Sequence, residues 1–117
     1  MQLITIINKT QLTRVRPEDV VYLEADGNYT HMVLCSGKSF TFTRKIKDFY
    51  EVLNMIEHSP FLKVGRSLIV NKNYIFQVNS IESRITLAGN GLSKEFSVVT
   101  RKEPVCELLE RLKMEVG

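Results

Sequence analysis

The sequence predicts a mainly β fold of antiparallel strands, with one amphipathic helix in mid-chain and a second at the C-terminus. Two observations carry that expectation. Short runs rich in β-branched and aromatic residues recur between glycine-centred turn signals, and apolar residues at helical spacing occur in only two stretches. The 117 residues are 44% hydrophobic and 25% charged, a balance that suits one domain, residues 1–117, with a modest core that needs no disulfide staple.

Taken in order, Leu3 to Asn8 is a β-branched run that reads as a strand, closed by an Asn-Lys-Thr turn, and Leu12 to Val15 is a weaker second strand. Pro17, Glu18 and Asp19 turn the chain into Val20 to Ala25. The Asp26-Gly27-Asn28 turn then returns it as Tyr29 to Cys35, and Ser36-Gly37-Lys38 leads into Ser39 to Thr43. From Arg44 the period changes: Ile46, Phe49, Tyr50, Leu53 and Ile56 recur at helical spacing, Asp48 sits in the first turn, and Ser59-Pro60 stops the helix. Phe61 to Asn73 sets two apolar β runs on either side of Gly65. Tyr74 to Asn79 and Arg84 to Ala88 are strands joined by Ser-Ile-Glu-Ser, and the Gly89-Asn90-Gly91 turn leads to Leu92 to Val98. Pro104 suits a first helical position, and Val105, Leu108, Leu109, Leu112 and Val116 line one side of the C-terminal helix.

Charge is distributed unevenly. The net charge is +3, but residues 61 to 102 carry seven cations (Lys63, Arg66, Lys72, Arg84, Lys94, Arg101, Lys102) against Glu82 and Glu95. A basic half on a neutral-to-acidic body is either a face that meets phosphates or a chance cluster of solvated lysines. Most chemistry is excluded. His31 and His58 lack metal-ligand spacing, and Cys35 and Cys106 form no C-x-x-C pair, so neither a metal site nor a cofactor is expected. No phosphate-cradling glycine motif occurs, and no histidine accompanies Ser67, so no catalytic residue is assigned and the chain is read as a non-enzyme. Apolar runs are far too short to span a membrane, and the N-terminus lacks a signal-peptide pattern, so a cytoplasmic location is expected.

What remains is nucleic-acid binding. The aromatic pattern that stacks single strands is missing. Instead there are arginines at corners: Arg66 between two strands and Arg101 between a strand and a helix. Such a residue is either merely solvated or reaches a guanine edge bidentately in the major groove, with Lys63, Lys72, Lys94 and Lys102 on phosphates.

Four segments carry a resemblance: Asp19 to His31 (DVVYLEADGNYTH), Arg44 to Leu53 (RKIKDFYEVL), Phe61 to Asn71 (FLKVGRSLIVN) and Phe96 to Arg101 (FSVVTR). In order and spacing the chain resembles the LytTR-type DNA-binding domain found at the C-termini of many bacterial response regulators. The resemblance implies an elongated multi-sheet β fold in which loops, not a recognition helix, enter double-stranded DNA. By motif position Arg66 and Arg101 are the implied base readers, with Thr30 or His31 as a third contact. Asn28 and Ser67 join the lysines as phosphate contacts, and Asn71 is structural. Where the family commonly has His before the Arg-Ser pair, this chain has Gly65, which is expected to be structural or to let the backbone approach a phosphate. The resemblance further implies a bacterial, two-component transcriptional regulator acting on paired direct repeats, which either binds a half-site as a weak monomer or pairs as a homodimer on DNA. No receiver domain is read before Met1, so a stand-alone regulator or an output domain is expected. The alternatives are a β-rich protein-interaction module or a structured-RNA binder, each using the basic face.

Overall fold

The computed structural model describes residues 3–89 and 91–116. Among these residues ten strands and two α-helices follow one another: β1 (Ile4–Ile7), β2 (Leu12–Val15), β3 (Val20–Asp26), β4 (Tyr29–Leu34), β5 (Ser39–Phe42), α1 (Ile46–Asn54), β6 (Phe61–Val64), β7 (Leu68–Asn71), β8 (Ile75–Asn79), β9 (Arg84–Leu87), β10 (Phe96–Val99) and α2 (Lys102–Glu115). They form three antiparallel sheets, β1-β2, β5-β4-β3-β7-β6 and β10-β9-β8. The mainly β architecture with a mid-chain and a C-terminal helix is the one the sequence predicts, and its extents of 43 × 30 × 27 Å make it longer than it is wide.

The five-stranded sheet is the central layer because β7 is buried on both faces. Leu68 and Val70 point into one cluster and Ile69 into the other, as the period of two in a strand requires. On one side the β1-β2 hairpin and α1 bury Ile4, Ile6, Val15, Phe49 and Leu53 against Leu23, Met32 and Ile69. On the other, the three-stranded sheet and α2 bury Ile85, Leu87, Val98 and Leu108 against Val21, Leu62 and Val64. Each such side chain contributes about 1.5–3 kcal/mol when fully buried. Elements that cover the central sheet are therefore held by nonlocal packing more than by their own propensity.

Differences from the expected elements are local. Tyr74 belongs to a 3-10 turn, Lys72–Tyr74, because Asn71 Oδ1 accepts from Asn73 N (3.0 Å) and closes that turn before β8 begins. The expected strand from Leu92 is shorter: only Phe96–Val99 pairs with β9, while Ser93 N donates to Cys35 O (3.2 Å) and draws the preceding loop onto the end of β4. Of the Gly89-Asn90-Gly91 turn, Asn90 lies outside the described residues. Helix α1 stops at Asn54, short of Ile56, because Met55 and Ile56 donate to the carbonyls three residues back and tighten its end. Pro104 is the third residue of α2, not the first. It removes no hydrogen bond there, since the first helical donor is Val105 N to Arg101 O. Val116 falls beyond α2 and is exposed.

Candidate nucleic-acid interface

Strand register decides which loops are neighbours. Ala25 N donates to Ser67 O (2.8 Å), Asp26 pairs with Tyr29, and Thr30 pairs with Phe42. Three connections therefore leave the same end of the central sheet: the β3-β4 turn, the β5-α1 link and the β6-β7 corner. The two-residue β3-β4 turn is made possible by Gly27 at φ +61°, a left-handed conformation that suits a hairpin of this length.

A fourth segment is fastened to that end through Gly65. Its φ is +65°, and a Cβ built on it would lie 2.9 Å from Cγ and 3.2 Å from Cβ of Pro104. Only a residue without a side chain lets the β6-β7 corner sit against the first turn of α2. The contact accounts for Gly65 structurally, without a phosphate, and it brings Arg66 and Arg101 to one cleft.

That cleft, about 560 Å³, is lined by Arg66 and Ser67 from the corner and by Arg101, Glu103 and Glu107 from α2, among others. Both arginines are exposed, and among the described residues neither forms an ion pair. Arg101 is the N-cap of α2 and Lys102 its first residue, and the Arg101 side chain makes no capping hydrogen bond among the described residues. Cations at a helix N-terminus oppose the macrodipole, each at a cost of roughly 0.3–1 kcal/mol. Helix stability does not explain why they are there. With two guanidinium groups facing two carboxylates, the cleft is close to neutral.

The other expected site residues separate. Asn28 is exposed at the same sheet end, in a second cleft with Arg44, Lys45 and Lys47. Thr30 is 0% exposed and its hydroxyl donates to Arg44 O (2.7 Å). Enclosed in this way, the Thr30 hydroxyl supports the β5-α1 link. His31, on the opposite face of β4, is half-buried and holds Thr41 Oγ1 at 2.8 Å and Asp26 Oδ2 at 3.2 Å through its two ring nitrogens. Asn71 is 1% exposed, donates from Nδ2 to Val20 O (3.0 Å) and ties the end of β7 to the start of β3.

Three lysines do not share the arginines' surroundings. Lys72 lies at the far end of β7, roughly 20 Å from Arg66 at about 3.3 Å per residue, and its Nζ is 3.1 Å from Glu115 Oε1. Lys94 is also at that far end, beside Cys35, with its Nζ 5.4 Å from the Phe96 ring centroid. Lys63 points to the α1 face, with its Nζ 5.5 Å from the Tyr50 ring centroid. Lys72 and Lys94 thus lie apart from the cleft that holds Arg66 and Arg101.

Sequence reasoning passed over Arg44, Lys45 and Lys47. They belong to the half of the chain with net negative charge, where the sequence makes them the start of an amphipathic helix and of the LytTR-like segment Arg44 to Leu53 but assigns them no contact. One signal was available: like Arg101 and Lys102, they put cations where the dipole of α1 disfavours them.

Comparison with known proteins gives a consistent picture. The family model described as the LytTr DNA-binding domain matches residues 10–104. Among solved structures, the chain is similar to the LytTr DNA-binding domain of a methyl-accepting/DNA response regulator from Bacillus cereus, with a TM-score of 0.64 and 20% identity over 96% of this chain and 97% of that one. No curated protein matches significantly. Among the described residues no helix is long and apolar enough to cross a membrane.

Proposed function

The chain belongs to the LytTr DNA-binding domain family, and from that premise we propose that it is a transcriptional regulator that reads double-stranded DNA sequence-specifically, with Arg66 and Arg101 as its base readers. One observation carries the reading: two arginines, unpaired among the described residues, share a near-neutral cleft at one end of the sheet. Glu103 and Glu107 make that cleft a poor phosphate cradle, whereas a guanine edge, which presents two acceptors without a formal charge, suits a guanidinium fork. Ser67 at the cleft, Lys102 at the start of α2 and Asn28 in the neighbouring cleft, all exposed, are the phosphate contacts, and His31 is an accessory contact once it leaves Asp26.

In this reading residues 1–117 act as one cytoplasmic DNA-binding module that catalyses no reaction. The module binds paired direct repeats, with a homodimer forming on the DNA. Selection of duplexes from a randomised pool tests it, with RNA and heparin as competitors. Enrichment of one duplex sequence that survives rising salt is the expected outcome. Arg66→Ala is expected to cost about 1–3 kcal/mol of preference at one base position. Equal losses on selected and scrambled duplexes would instead make Arg66 a phosphate contact, and no enrichment at all would remove the reading.

A further inference from the structure

We propose that the β5-α1 link, through Arg44, Lys45 and Lys47, is a second DNA-contact surface that holds the sugar-phosphate backbone beside the bases read from the arginine cleft; this rests on the DNA-binding reading above. The link forms one wall of an open cleft of about 470 Å³ that also contains Asn28 and Asp48. Three cations face one anion there, in contrast to the balanced charges around Arg66. An adjoining crevice shares Thr43 and Arg44 and carries the surface on to Lys9 in the β1-β2 turn.

Three features mark these cations as a site and not as solvated side chains. Among the described residues none of them has an acidic partner at ion-pair distance, even with Asp48 in the same cleft, so each charge is open to an added anion. The link is also held in place before any ligand arrives: Thr30 Oγ1 donates to Arg44 O (2.7 Å), and Arg44 Nη2 donates to Ile7 O (3.1 Å). Finally, Lys45 and Lys47 flank the N-terminus of α1, where a cation weakens the helix it precedes. Folding gives no reason for their charge; an anionic partner does.

Position identifies that partner as the backbone of the same duplex. The link and the β6-β7 corner leave the same sheet end, three strand steps apart in the order β5-β4-β3-β7. At about 4.8 Å per step this is roughly 14 Å, enough to reach from a base in a major groove about 12 Å wide to the phosphates that wall it. Phosphate contact adds affinity without sequence information, so the two clefts divide the work: the neutral one selects and the positive one holds.

The test is the double variant Lys45→Gln/Lys47→Gln in the full chain, titrated with the pool-selected duplex and with a scrambled one between 50 and 200 mM NaCl. Two lost phosphate contacts reduce the slope of log K against log salt by about 1.8. Over that fourfold range the wild type then loses about 12-fold more affinity than the variant. Both duplexes are affected alike, their ratio is kept, and thermal unfolding shows a melting temperature no lower than that of the wild type. An unchanged slope in a folded variant overturns the second surface while leaving the arginine cleft standing. A changed ratio between the duplexes overturns the assignment to backbone. Failure of the wild type to prefer any duplex overturns the underlying reading itself, and so separates that failure from the loss of this surface.

Discussion

Replacing Gly65 by alanine is the sharpest test of how the arginine cleft is assembled. The new Cβ would stand 2.9 Å from Pro104 Cγ and 3.2 Å from Pro104 Cβ, on a backbone held at φ +65°. The left-handed conformation costs a residue with a side chain roughly 1–2 kcal/mol, and forcing a methyl group against a rigid ring costs about 1–3 kcal/mol. Against these, the lower entropy of the unfolded chain offsets about 0.4–1 kcal/mol. A net loss of roughly 2–4 kcal/mol follows, which at about 4 °C per kcal/mol for a domain of this size lowers Tm by about 8–16 °C. Thermal and urea unfolding measure it, and two companions separate its parts. Asparagine tolerates the left-handed region, so Gly65→Asn is expected to recover the backbone part alone. Adding Pro104→Ala to Gly65→Ala removes the 2.9 Å contact and recovers part of the steric cost. Because the corner and α2 must move apart, DNA preference is expected to fall with stability. A Gly65→Ala protein with Tm within about 2 °C of wild type, and with intact preference, would refute the close approach as the reason for glycine here.

Other outcomes follow from the same geometry. Lys72 is paired with Glu115 at the far end of the sheet, so Lys72→Ala is expected to leave the salt dependence of DNA binding unchanged; a shallower slope would return Lys72 to the contact surface. Asn71→Ala removes two hydrogen bonds at a buried position and leaves Val20 O without this donor, an expected loss of about 2–4 kcal/mol in urea unfolding. A loss under about 0.5 kcal/mol would show that Asn71 is not the tie between β7 and β3. Burial pushes the Tyr22 and Tyr74 phenols up from their ordinary value, with the charge of Glu24 adding at Tyr22 and those of Cys35 and Asp19 at Tyr74. Their folded pKa lies above the unfolded value of about 10, so the unfolded chain loses these protons first. On this account stability holds below about pH 10 and falls as pH rises beyond it. The urea midpoint at pH 9 and pH 11 measures the fall, and a flat profile across that range would contradict the burial of both rings.

Much of the fold was legible because its signals are local. The β-branched run Ile4–Ile7, the Asp26-Gly27-Asn28 turn and the apolar spacing of Ile46, Phe49 and Leu53 each express backbone preferences within a few residues. The wording around Arg66 and Arg101 pointed to the LytTR family for a similar reason, since it can be read along the chain. Boundaries were less legible. Tyr74 fell outside its expected strand because of a side-chain hydrogen bond from Asn71, and Leu92 because the loop ahead of β10 is drawn to Cys35. Both competing contacts are set by where the sheets lie.

By itself, then, the sequence determined the mainly β class, the two helices, the absence of familiar catalytic motifs and the two corner arginines as the residues to ask about. Only the tertiary structure decided which side chains share a surface. Lys72 is near Arg66 in sequence, yet an extended strand carries it to the opposite end of the sheet. Arg101 is distant in sequence, yet the contact of Gly65 with Pro104 brings it to the same cleft. Thr30 and His31 are adjacent, but alternation across β4 buries one beneath Arg44 O and leaves the other half-exposed beside Asp26. The physical reason is common to all three: strand direction, register and face are fixed by pairings between segments far apart in the chain, and these set the position of every loop residue.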